Sequence, residues 1–217
     1  MTEQEFYKLY WNPYKQIEDE FIETFKYVDF SEKNYNVYSS KFLKLILQIG
    51  SEIDICLKLY VNMLHPGSYN NINEYRNIIK EYDNELVTEK VLIKNFEVNL
   101  QPWLGLTNEN NDVIWWKIYN NIKHDRTKEV LINGINQKAY MFATLYNVLI
   151  SLGGLYVVLM NIFSNVKNSR DDSPLPNSKI FKLISDRWSN CKWYSIGYVS
   201  IGVDGNLYMD NTKEFWF

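Results

Sequence analysis

The chain has 217 residues, of which 46% are hydrophobic, 16% aromatic and 23% charged, with a formal net charge of −3. Length and apolar content suit one domain with a sizeable core and exclude global disorder. The acidic balance excludes a surface coated in positive charge for nucleic acid, while leaving room for a local basic patch.

Cys56 and Cys191 stand far apart in no ligand spacing, which reads as two buried thiols in a reducing compartment. With two histidines in the chain, a structural zinc site is not expected. Neither a phosphate-cradling glycine loop, a GxSxG elbow nor an HExxH pair is present, so no cofactor or metal is expected. Met1-Thr2-Glu3-Gln4-Glu5 lacks the cationic start and apolar core of a signal peptide, and a cytoplasmic location is the expectation.

Residues 1–13 are aromatic and polar, around Phe6, Tyr7, Tyr10 and Trp11. Pro13 permits a helix start, and Ile17, Phe21, Phe25 and Val28 follow at helical spacing, predicting a helix over 14–29. Phe42, Leu45, Ile46, Ile49, Ile53, Cys56, Tyr60 and Met63 form one stripe, predicting an amphipathic helix over 36–64 that Pro66-Gly67 ends. His65, at that helix end, reads as a cap or an exposed side chain. Ile72, Tyr75, Ile78, Ile79, Tyr82 and Leu86 predict a helix over 72–87, with Asn71 or Asn73 as its cap. From Val91 to Leu100 the chain reads as extended or irregular, and Pro102 blocks a helix there. A helix over 112–126 follows, capped by Asn111 or Asp112, and then a loop around Asn133-Gly134.

Residues 135–163 are expected to form the most apolar helix, since no charge appears between Lys138 and Lys167. Such a run is long enough to cross a bilayer. Thr144, Asn147, Ser151, Gly153-Gly154 and two tyrosines favour instead a central helix buried on nearly all sides, with another helix approaching at the glycines. No membrane association is therefore expected. Residues 164–178 read as a loop, and Ile180, Phe181, Ile184 and Trp188 as a short helix. The alternation from Trp193 to Ile201, then Asp204-Gly205-Asn206 and Leu207-Tyr208-Met209, predicts a C-terminal β-hairpin. The organisation expected is a helical bundle domain over 1–163, a loop over 164–178, and a short helix with a hairpin over 179–217.

The stretch Trp115-Trp116-Lys117-Ile118-Tyr119-Asn120-Asn121-Ile122-Lys123-His124-Asp125-Arg126 carries the chemistry. At about 100° per residue, Ile114, Trp115, Ile118, Tyr119 and Ile122 share a core face. Trp116, Lys117, Asn120 and His124 fall opposite, with Asn120 and His124 four residues apart and so neighbours. Lys117, Lys123, Arg126 and Lys128 outnumber Asp125, the one acid from 115 to 128. A histidine can move a proton near neutral pH, a neighbouring amide can orient it, and cations can hold a phosphodiester. An RNA 2′-hydroxyl would serve as internal nucleophile, so no metal is required. The same residues also suit a plain helix end, where cations favour the macrodipole and His124 caps carbonyls.

Tyr119-Asn120-Asn121-Ile122-Lys123-His124-Asp125-Arg126 resembles the motif of HEPN-type helical domains, widespread in prokaryotic defence and toxin systems. Ser51-Glu52-Ile53-Asp54-Ile55-Cys56-Leu57-Lys58 resembles an earlier helix of such proteins, and the resemblance spans about 36–163. It implies a mainly α fold, an α-helical bundle that is usually dimeric, with motif helices facing across a cleft. Catalytic members are metal-independent endoribonucleases with an arginine, a following polar residue and a histidine. By the resemblance, His124 and Asn120 are the catalytic candidates, with Lys117, Lys123 and Arg126 on RNA phosphate. Tyr119 occupies the arginine position, where it offers no guanidinium. Two functions follow as expectations: an RNA-cleaving or RNA-binding protein, or a non-catalytic interaction and dimerisation module with Trp116 and the tail aromatics facing a protein partner.

Overall fold

Two long helices form the centre of the fold. They are α3 (Ser40–Leu64) and α6 (Leu145–Lys167), packed against each other along their lengths. The computed structural model describes residues 1–94, 96, 98–108, 113–170, 172–188, 199–201 and 207–209. Over these the protein is mainly helical, with a small antiparallel sheet. α3 starts at Ser39, whose hydroxyl accepts from the Phe42 N–H, and buries every residue of the predicted stripe except the half-buried Met63.

The N-terminal helix starts earlier than its periodicity suggests and also stops earlier, at Glu23, with a 3-10 turn over Thr24–Lys26 in place of the expected run to 29. It begins at Thr2, which forms a capping box with Glu5, and runs through α1 (Glu3–Phe6), a π-helical turn (Tyr7–Trp11) and α2 (Asn12–Glu23). Pro13 sits in the first turn of α2, where the wider π turn precedes it, so proline does not mark the start. Phe6 and Trp11 are fully buried, which places the aromatic N-terminus in the core. α4 (Ile72–Tyr82) is capped by Asn71 as expected, and it stops short of 87 because Asp83 leaves the helical region.

β1 (Lys90–Ile93) and β2 (Val98–Leu100) realise the extended stretch. β5 (Phe181–Ile184) pairs antiparallel with the other side of β1, giving the order β2-β1-β5. The short helix expected over 180–188 is therefore a strand followed by a 3-10 turn at Asp186–Trp188. Four residues, Phe181-Lys182-Leu183-Ile184, are too few to separate the two periods, and long-range pairing decides. β3 (Glu129–Ile132) and β4 (Ile135–Lys138) form a hairpin whose turn, Asn133-Gly134, has positive φ at both residues. The predicted helix over 135–163 thus begins ten residues late, at the Thr144 cap, and extends to Lys167. In the tail β6 (Val199–Ile201) pairs antiparallel with β7 (Leu207–Met209), as a hairpin requires. Asp204-Gly205-Asn206, Cys191 and Trp193–Tyr198 lie outside the described residues.

α6 is long and apolar enough to cross a membrane, and 83% of its most apolar window is buried inside the fold. A strand approaches at one of its glycines, and helix α5 (Ile114–Asp125), through the Trp115 indole, at the other. A β-carbon at Gly153 would lie 3.1 Å from Val91 of β1, and one at Gly154 would lie 3.1 Å from Trp115. The Trp103 indole N–H also donates to the Gly154 carbonyl at 3.0 Å.

Candidate functional site

α5 (Ile114–Asp125) carries the motif, and packing divides its surface. Trp115, Ile118, Tyr119 and Ile122 are buried as their phase requires. Two positions depart from it. Ile114 is 37% exposed, and Trp116 is only 4% exposed. Trp116 packs against Trp115 and Tyr119, with ring centroids 5.8 and 5.3 Å away, so the aromatic cluster widens the buried arc. Its indole N–H has no hydrogen-bond partner among the described residues. Trp116 therefore belongs to the core and is no part of an exposed partner surface.

Tyr119 lies against Gly50 of α3, where a missing β-carbon makes room for the ring. Neighbouring Asn120 is half-buried. Its amide donates to the Trp116 carbonyl one turn back, at 3.1 Å, instead of orienting His124. Asn121 does the same to Lys117, at 2.8 Å. His124 is exposed and forms no hydrogen bond or ion pair among the described residues.

Lys117 and His124, seven residues apart, share one exposed stripe of α5. Lys123 turns away from it and holds its ammonium 5.4 Å from the centroid of the Tyr119 ring. Arg126 follows the last turn. The chain returns there, with Tyr140 N–H on the Arg126 carbonyl at 3.0 Å and Ala139 N–H on the Lys128 carbonyl at 2.8 Å. Lys117, Lys123, Arg126 and Lys128 are all exposed and enter no ion pair among the described residues. Elsewhere Lys41, Lys167 and Lys179 are each paired with a carboxylate, while Lys44, Lys58 and Lys80 are exposed and in no ion pair among the described residues. Asp125, the acid among these cations, accepts from the Thr127 hydroxyl and N–H, which lowers its pKa. The end of α5 is thus a solvent-facing patch with a cationic excess.

Two charged clusters elsewhere were not anticipated from sequence. In the first, the fully buried Glu18 accepts from the hydroxyls of Tyr14 and Ser178, the N–H of Ile180 and the ammonium of Lys15. Its sequence signal is a carboxylate four residues after Tyr14, on an apolar stripe. In the second, Arg187 donates to Glu89 at 2.8 Å and to Asn161 at 2.9 Å, and also to Asp83. Trp188 donates to the same Glu89 oxygen, and Tyr60 to Asp83. Both clusters are held by internal partners and read as pins of the fold, although the second oxygen of Glu89 has no hydrogen-bond partner among the described residues. His65 is likewise occupied, bonded to the Tyr69 hydroxyl at 2.8 Å and stacked on Tyr82.

A groove of about 730 Å³ opens between the start of α5, the edge of β2 and the β3–β4 hairpin. It is lined by Ile114 and Ile118 and by neither His124 nor the cations. Among the described residues no group of histidine, cysteine and carboxylates is placed to hold a metal ion. No protein-family model, no curated protein and no solved structure matches the chain.

Proposed function

We propose that the chain is an RNA-binding, HEPN-like helical module of a prokaryotic defence or toxin-type system, and that it holds RNA without cleaving it. The observation that carries this reading is the cationic excess along the exposed face and at the C-terminal end of α5. There Lys117, Lys123, Arg126 and Lys128 face solvent without ion-pair partners among the described residues, on a chain that is acidic overall. Lysine and arginine that neutralise phosphates release counterions, and this term dominates sequence-independent binding. His124 lies on the same surface as Lys117 and would contact the strand.

Burial of Tyr119 supports the non-cleaving half of the reading. The position that would hold the family's guanidinium is filled by a ring packed on Gly50. Asn120 is turned onto backbone, so His124 lacks the neighbour that would orient it. A homodimer, the form the resemblance implies, would bring two such helix ends together.

The test is anisotropy of a labelled single-stranded RNA of about a dozen nucleotides, titrated with protein at several salt concentrations. Expected is salt-sensitive binding that falls at least tenfold when Lys117, Lys123 and Arg126 are all changed to Ala. The RNA should remain intact with or without a chelator. Unchanged affinity in the triple variant would remove α5 from the interface. Chelator-insensitive cleavage that disappears in His124→Ala would restore a nuclease.

A further inference from the structure

The groove beside α5 differs in chemistry from the cationic patch, and it carries a second, independent inference. Among the described residues no charged side chain lines it. Its walls include side chains that solvent would not select: Leu104 is 63% exposed, Ile135 56% and Ile114 37%. Around them Asn36, Asn99, Asn133 and Gln137 have carboxamides without a hydrogen-bond partner among the described residues. Two further amides are committed to the fold. Gln101 donates to the Val87 carbonyl and Asn147 to the Phe142 carbonyl.

One wall is a sheet edge. Asn99, Leu100 and Gln101 line the groove consecutively. Alternate side chains of a strand leave from opposite faces, so consecutive lining residues mean that the groove meets the strand along its edge. β2 pairs with β1 on one side and has no strand partner on the other among the described residues. From β4, by contrast, Ile135 and Gln137 line the groove, two residues apart and so on one face.

We infer that this groove binds an extended, uncharged peptide segment of a partner protein, laid along the edge of β2 with alternate apolar side chains directed between Leu104, Ile114 and Ile135. Three features match that occupant. An open strand edge offers main-chain donors and acceptors in the register of another strand. Free carboxamides both donate and accept, as a peptide backbone demands. The described lining carries no charge, which leaves a charged side chain unpaired against it on desolvation and so selects against one. A single-stranded RNA fits less well, since its phosphates would find no cation within the groove. The inference does not depend on the RNA reading, which rests on the other surface of α5.

The test is selection of random eight-residue peptides displayed on phage against the full chain, followed by anisotropy of the enriched peptides made synthetically. Expected are uncharged sequences with apolar residues at alternate positions. Leu104→Asp and Ile135→Asp should each weaken binding at least tenfold. Both sites are exposed enough that the fold survives, which circular dichroism checks. Leu131→Asp is the control: it is equally exposed, lies on β3 outside the groove, and should leave affinity within about twofold. The inference is overturned if no peptide enriches, or if both groove variants bind as the wild type does. It is also overturned if the enriched peptides are acidic and lose binding only with Lys117 and Lys123, or if a single-stranded RNA oligonucleotide is the ligand that the groove variants release.

Discussion

The ring of Tyr119 covers Gly50 so closely that a β-carbon at residue 50 would lie 2.2 Å from Cδ2 of the ring. Gly50→Ala should therefore destabilise the protein by about 2 kcal/mol, although alanine is the better helix former by about 1 kcal/mol. Urea denaturation measures it. Tyr119→Leu should relieve part of the loss in the double variant, because residues in direct contact do not contribute additively.

Tyr119→Arg supplies the residue type of the motif that the sequence resembles and should not create a nuclease. The guanidinium would enter a site that is 4% exposed, against α3 at Gly50. An unpaired buried charge costs several kcal/mol. The expected outcome is a lower urea midpoint and no RNA cleavage on a gel; cleavage at wild-type stability would refute it.

Arg187 should be among the most sensitive positions outside α5. Arg187→Ala leaves Asp83 and Glu89 without their cation, and breaking such a buried pair costs about 3–5 kcal/mol. Arg187→Lys should recover little, since an ammonium cannot reach Asp83, Glu89 and Asn161 together as the planar fork does. Denaturant midpoints of both variants check this.

Burial lowers the Lys94 ammonium to about 8, against the opposing pull of Glu18. In the unfolded chain a lysine titrates near about 10.4, so between pH 8 and 10 the unfolded state binds more protons. The burial penalty on the Lys94 ammonium is then relieved as pH rises across that window, so stability grows with pH there. The buried Cys56 thiol acts oppositely, since burial raises its pKa and the unfolded thiolate gains as pH rises. The readable signal is thus a difference. Wild type should gain stability relative to Lys94→Met from pH 8 to 10, and parallel profiles would disprove it.

If RNA binds at α5, its salt dependence should report the number of cations engaged. With Lys117, Lys123, Arg126 and Lys128 on phosphate, a single strand should give a slope of log affinity against log salt of about −3. Each single alanine substitution should flatten it by about 0.7. An unchanged slope in all four variants would place the phosphates elsewhere.

Helices were legible wherever one apolar stripe ran long enough to fix the period. α3 shows this from Phe42 to Tyr60, and α5 at Trp115, Ile118, Tyr119 and Ile122. β5 was not legible, because Phe181–Ile184 is too short to display a period and its partner β1 lies about ninety residues earlier. The β3–β4 hairpin carried its signal in Asn133-Gly134, but its second strand ran into the apolar sequence of α6 and was absorbed by it. At the site, the polar stripe could be read from spacing. What Asn120 bonds to, and which way Lys123 turns, could not be. Those depend on the Trp116 carbonyl and the Tyr119 ring, and so on where packing places two aromatic residues.

Trp11, Tyr14, Lys15 and Glu18 reach residues 176–180, more than 150 positions later. α6 lies against this N-terminal helix and is also covered by β5. During synthesis the most apolar helix of the chain is therefore made before its last covering strand exists. It must wait, partly bare, until Ile184 has left the ribosome, and contacts spanning so much sequence close slowly. A chain released just after Lys167 would keep all of α6 and lack that cover, making it the form of this protein most prone to aggregate.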